Sequence, residues 1–198
     1  MKGLKKQLLT ALIVFLMAVT LTVPAAAAAP ATAVNAQAGP NFDVYLKLDG
    51  IEGESAERSH VKWIEIADVQ FDVSNTSSHA AGSGSGAGKS TLNQFSVTKL
   101  RFDSSSIHLF QAALTGQKIK NGQLVFLRHN KDGNAPAPML TIDLDTVYVS
   151  DYQFNNTVET LNLKFKSIKM RYSAIDAKGN LSAPVTGGWD FAQNSVIK

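Results

Sequence analysis

From residue 42 onward, apolar and polar residues alternate in short blocks. Phe42, Val44, Leu46 and Leu48 alternate with Asp43, Tyr45 and Lys47, the period of a strand with one face on a core. Asp49 to Ser55 reads as a turn in which Gly50 and Gly53 are free to take positive φ. Val61 to Val73 predicts a longer strand region. Ile64 and Ile66 sit on one parity there and Val69, Phe71 and Val73 on the other, so a bulge is expected near Ala67. Leu92 to Phe102, Gln123 to His129, Leu140 to Val149 and Leu161 to Tyr172 predict further strands, the last with a parity shift at Ile168. One segment breaks the pattern. Ser104, Ser105 and Ser106 are N-cap candidates ahead of Ile107, Leu109, Phe110, Ala113 and Leu114, spaced as a short amphipathic helix that stops at Gly116. Short strands with one helix predict a mainly β fold, a barrel or sandwich.

The first residues follow another logic. Lys2, Lys5 and Lys6 precede an apolar run from Leu8 to Val23, then Pro24 and a row of alanines. That is the layout of a secretory signal peptide. Small residues at Ala31 and Ala33 favour cleavage after Ala33. The expected organisation is therefore a signal peptide over 1–33, a flexible lead-in over 34–41 and one β domain over 42–198. An uncleaved anchor is the rival reading of the apolar run.

Cleavage changes the charge. The 19 basic and 16 acidic residues give +3, but losing the three leader lysines leaves 16 of each sign. A neutral mature chain gives no electrostatic reason to bind nucleic acid or, once cleaved, a membrane. Cysteine is absent, so a secreted domain must rely on its core, on oligomer contacts or on both.

Catalytic and ligand motifs fail on their own terms. GAGKST, residues 86 to 91, resembles the end of a P-loop, but Ser83 stands where the motif needs Gly and a strand follows where it needs a helix. GSGSG over 82–86 has Gly84 where a nucleophile elbow needs Ser. His60, His79, His108 and His129 have no paired metal-ligand spacing. NKDGN over 130–134 lacks the later ligands of a calcium loop and reads as a hairpin turn. The acidic Glu52, Glu54 and Glu57 read as a solvated loop. Asp143 and Asp145 lie on a polar strand face that Lys164, Lys166 and Lys169 could complement from a neighbouring strand or another subunit. No enzyme, metal or cofactor is expected.

Five segments, in order, carry a family resemblance. DVYLKLDGIEGES over 43–55 is similar to a first strand and turn, and His79 with the Gly/Ser run ending in Gly88-Lys89 to an extended loop. LRFDSSSIHLFQAALTGQKI over 100–119 is similar to a strand-to-helix passage, ETLNLKFKSIKMRY over 159–172 to a late strand, and GWDFAQN over 188–194 to a C-terminal signature. Together they resemble the Hcp family, the haemolysin-coregulated tube proteins of type VI secretion. The resemblance implies a compact β-barrel with one short helix, a homohexameric ring, stacking of rings into a tube, and effector proteins held in the lumen. It also implies an assembly role for the loop residues His79, Gly82, Gly84, Gly86, Gly88 and Lys89. The leader departs from the family pattern, whose ordinary members assemble in the cytoplasm; it implies a secreted relative that forms rings by itself. The alternative is a secreted β-barrel binding module acting outside such a system.

Export yields the first expected outcome. Intact-mass analysis of secreted protein should place the mature N-terminus between residues 29 and 39; Met1 retained on soluble cytoplasmic protein would refute processing.

Overall fold

A computed structural model describes residues 42–76, 88–128, 136–176 and 180–197. The leader, His79, Gly82, Gly84, Gly86, His129 and the NKDGN turn lie outside the described residues. Among the described residues, nine strands and one helix follow in the order β1 (Phe42–Leu48), β2 (Ile64–Ile66), β3 (Asp68–Asn75), β4 (Ser90–Lys99), α1 (Ser104–Thr115), β5 (Ile119–Arg128), β6 (Ala137–Asn155), β7 (Val158–Tyr172), β8 (Val185–Asp190) and β9 (Ser195–Ile197).

The strands form one antiparallel sheet in the order β2-β1-β5-β6-β7-β4-β3, with β8 on β7 and β9 on β8. Its two end strands, β2 and β3, are consecutive in the chain and separated only by Ala67. A sheet whose ends are joined by a single residue has to curl on itself, and this makes the barrel. The Ala67 N–H donates to the Thr98 carbonyl at 2.8 Å, so the crossing point bonds to β4 while β2 still pairs with β1. The parity change expected as a bulge is thus an exchange of partners: Ile64 and Ile66 face the core from one ladder, and the chain then enters the next.

The long β6–β7 hairpin bends to follow the barrel. Ile142 and Leu144 are buried, and so are Val147 and Val149 on the opposite parity. Thr146 absorbs the shift with a φ of 55°, costly for a β-branched residue. Val147 pairs with Phe165 and Leu144 with Ile168, so the parity shift of β7 lies directly opposite. Both strands kink at one level, keeping both halves of the hairpin on the core. That core holds Leu46, Ile64, Phe95, Val97, Leu109, Leu124, Leu161 and Leu163, with Phe95 packed edge-on against Phe165 at 5.2 Å.

The outer face of β1 is covered too. Tyr45 packs with Val125 and Leu127 and stacks on His60, which meets Trp63 edge-on at 4.5 Å. Burial and the nearby Asp43 and Glu65 push the Tyr45 hydroxyl up to about 12. Burial alone would raise Glu57, but hydrogen bonds with Ser59 and His60 outweigh it and hold the carboxyl down at about 2.

The turn after β1 uses its glycines differently. Gly50 takes a φ of 83°, as expected, but Gly53 has no positive φ. Gly53 is instead a close-approach position: its N–H donates to the Lys62 carbonyl, and an added Cβ would lie 2.4 Å from the Trp63 carbonyl oxygen. Gly53→Ala should therefore cost about 1–3 kcal/mol by forcing backbone apart. Gly187→Ala, where a Cβ meets nothing within 4 Å, should stay within about 0.5 kcal/mol of the parent. Urea unfolding of the two variants measures the difference, and equal midpoints would contradict this packing.

Candidate functional site

Two sets of residues invite a functional reading: the base of the Gly/Ser loop and a buried polar cluster under α1. The loop leaves the barrel from the β3–β4 hairpin, whose last paired residues are Asn75 and Ser90. Lys89 closes its base by accepting at its carbonyl from the Thr76 N–H at 3.3 Å. Asn194, in the β8–β9 turn with a φ of 51°, accepts from the Ser90 N–H at 2.9 Å and donates to the Gly88 carbonyl at 3.3 Å. The C-terminal turn thus pins the loop's exit. Of the six candidate loop residues, Gly88 and Lys89 are placed there and His79, Gly82, Gly84 and Gly86 are outside the described residues. Ser90 opens β4, so among the described residues a strand follows Lys89 where a P-loop needs a helix.

The helix cap leads to the second set. Asp103, not one of the three serines, is the N-cap: its carboxylate accepts from the Ser105 N–H at 3.0 Å, and the Ser106 hydroxyl accepts from the Asp103 N–H at 3.0 Å. Gly116 ends the helix in the left-handed conformation, φ 64°. The expected apolar face is only partly right. Leu109 and Ala112 are buried, whereas Ile107, Phe110 and Leu114 are exposed. Ser105 and Ser106 face inward because both hydroxyls serve a buried cation.

That cation is Lys99, the last residue of β4, 1% exposed. Its ammonium donates to Asp103 at 2.8 Å, Ser106 at 2.9 Å, Ser105 at 3.0 Å and Glu159 at 3.1 Å. Glu159, wholly buried on β7, accepts from the Ser106 hydroxyl at 2.6 Å and the Tyr152 hydroxyl at 3.0 Å. Burial, then the Glu159 carboxylate, push Tyr152 up to about 12. The partial burial of Asp103 pushes its carboxyl up, but the Lys99 ammonium and the Ser105 donors outweigh it and hold it below the usual carboxylate range. The cluster has the residue types of an acid–base site without access, since Lys99, Glu159, Ser105 and Ser106 are shut from solvent. Its chemistry is structural.

A groove of about 670 Å³ opens where the barrel closes, between Tyr45, Glu65, Ala67, Leu100 and Phe102, and the ion pair of Arg101 with Glu65 spans it. Glu54, on the same wall, accepts from the Ser104 N–H at 2.9 Å. The other acidic residues are also engaged: Glu52 pairs with Lys62, Asp143 with Arg171, and Asp145 and Asp190 with Lys166. Of the three lysines expected to complement Asp143 and Asp145, Lys166 pairs with Asp145 from the neighbouring strand of the same chain, and Arg171 takes Asp143. Lys164 bonds the carbonyls of Leu92 and Asn93 instead. Among the described residues no group of three or more acidic, His or Cys side chains is placed to hold a metal ion.

Residues 45–172 match the family model described as "Type VI secretion system effector, Hcp". The chain belongs to the Hcp family. A solved structure described as a type six secretion system protein is 28% identical, with a TM-score of 0.70, covering 79% of this chain and all of that one. Hcp1 from Salmonella typhimurium is 26% identical at a TM-score of 0.61, with 79% of this chain and 99% of that one covered. A type VI secretion system effector from Yersinia pestis shares the fold at 24% identity and a TM-score of 0.58, with 75% and 99% covered. No curated protein matches the sequence. Hcp proteins are structural, non-enzymatic components of type VI secretion.

Removing Lys99 alone strands Glu159 in the core, so Lys99→Met should cost about 3–5 kcal/mol, and adding Glu159→Leu should recover much of it. Acid attacks the same cluster. Because the Asp103 carboxyl titrates lower when folded than when unfolded, its contribution is complete above about pH 4 and is lost as pH falls through the folded value. Urea midpoints taken from pH 7 down to pH 2 should drop below about pH 4, less steeply in Asp103→Asn; identical slopes would remove Asp103 from this role.

Proposed function

We propose that this Hcp-family chain is an exported ring subunit. Its leader over 1–33 is removed, 34–41 is a lead-in, and 42–198 forms a homohexameric ring that stacks on others and holds small effector proteins in its lumen. The observation that carries the reading is the family match over residues 45–172, from β1 through β7, together with a related solved chain covered over its full length. The Gly/Ser loop with His79, Gly82, Gly84, Gly86, Gly88 and Lys89 then serves assembly, through neighbouring subunits or stacked rings. Its small residues offer no core of their own, so partners from a neighbouring copy have to order it. A mature chain of zero net charge lowers repulsion between copies at high local concentration.

Purified protein should run in light scattering as a ring of about six subunits, with a central hole visible by electron microscopy. Deleting Gly82 to Gly88 should keep the thermal melt and weaken assembly. A monodisperse monomer at high micromolar concentration would favour the secreted binding module instead.

A further inference from the structure

The described surface carries two apolar clusters at opposite ends of the β6–β7 hairpin. At one end Phe102 meets Phe154, and Phe110 meets Tyr152, each edge-on with ring centroids 5.7 Å apart. Tyr152 and Phe154 are two residues apart on β6 and share a face. Ile107, Phe110 and Leu114 extend the cluster as a helical stripe on α1. Phe102, Ile107, Phe110, Leu114 and Phe154 are 45–72% exposed. Single exposed apolar residues are ordinary, but here they are contiguous. Side chains of roughly 150–250 Å² at about half exposure sum to on the order of 500 Å². That is about the apolar share of one side of a standard interface.

Two further features mark a protein partner that excludes water. α1 carries no Asp, Glu, Lys or Arg, and charge depletion is typical of an interface centre. The patch is also held rigid from below, because Tyr152 bonds Glu159 while Ser105 and Ser106, on the inner side of α1, bond Lys99. A preorganised surface loses little entropy on binding.

At the other end of the hairpin, exposed Tyr172 and Val185 are direct partners in the β7–β8 ladder, and exposed Leu181 bridges Ile175 nearby. Phe154 pairs with Glu159 near the start of β7 and Leu140 with Tyr172 at its end, so the clusters sit at opposite ends of a strand contour of roughly 43 Å. Among the described residues, no ring contact or ladder pair joins the two clusters within one copy. Between copies they supply the two unlike surfaces that a head-to-tail, closed ring requires.

We propose that the aromatic patch of α1 and β6 is the seat for the Tyr172–Val185–Leu181 end of a second copy of this chain. The proposal rests on the ring reading and adds to it which two surfaces mate. The chain has no cysteine, so two introduced thiols would be its only ones. The protein is expressed from its full sequence with Leu114→Cys and Val185→Cys together, oxidised, and run on a non-reducing gel beside light scattering. The expected result is a covalent ladder ending at the subunit number of the ring. A ring of parental mass with no covalent species overturns the assignment and leaves the ring reading standing. A ladder running past the ring's number places the contact between stacked rings and also overturns it. A parent chain that forms no ring overturns both. Leu114→Asp, on a 72% exposed side chain, should raise the concentration needed for assembly about tenfold or more with an unchanged thermal melt, and unchanged assembly counts against the proposal.

Discussion

The ammonium of Lys99 is the point on which the structure turns. Its four oxygen partners come from the helix cap, the first turn of α1 and β7, and Lys99 itself ends β4. Taking a cation from water costs several kcal/mol unless every partner is in place. The β4–β7 register, the cap of α1 and the seating of the helix are therefore satisfied together. A helix of 12 residues with two inward serines has little apolar area to hold it down. The buried charge supplies the specificity that the helix's own apolar contacts lack.

Closure of the barrel follows a similar economy. One residue, Ala67, carries the chain from the β1 side of the sheet to the β4 side, and β7 divides its free edge between β4 over Glu159–Asn162 and β8 over Ser167–Tyr172. Lys164 falls in the gap between those ladders, where its ammonium bonds the carbonyls of Leu92 and Asn93. The Gly/Ser loop leaves from the same hairpin as that gap, and its exit is tied to Asn194 more than 100 positions away in the sequence. The framework around the loop is thus fixed from three directions.

Much of this was legible from residue order. The alternating blocks marked the strands, Gly116 marked the end of the helix, and the parity shift at Ile168 pointed to a kink. The matching shift between Leu144 and Val147 gained meaning only when the two strands were paired. Lys99 was not legible, because a lysine at the end of an alternating strand reads as solvent-facing until Glu159, 60 residues away, is brought beside it. Ser105 and Ser106 read as caps for the same reason: a hydroxyl that serves the backbone and one that serves a buried ion look alike in one dimension. Local patterns record the period of a strand; they do not record what a long-range partner demands of it.

The strand β3 has a further consequence. It pairs with β4 on one side, and Phe71 and Val73 are left partly exposed along it. An open strand edge is a template for pairing with another chain and, repeated, for fibre growth. Here the ladder slips between Asp72 and Val73, and the carboxylates of Asp68 and Asp72 stand along the same strand. A bulge twists the edge out of line, and the two carboxylates oppose pairing with a second β3 edge. Pairing of another chain along the β3 backbone is thereby disfavoured, and contacts on this side of the barrel fall to side chains.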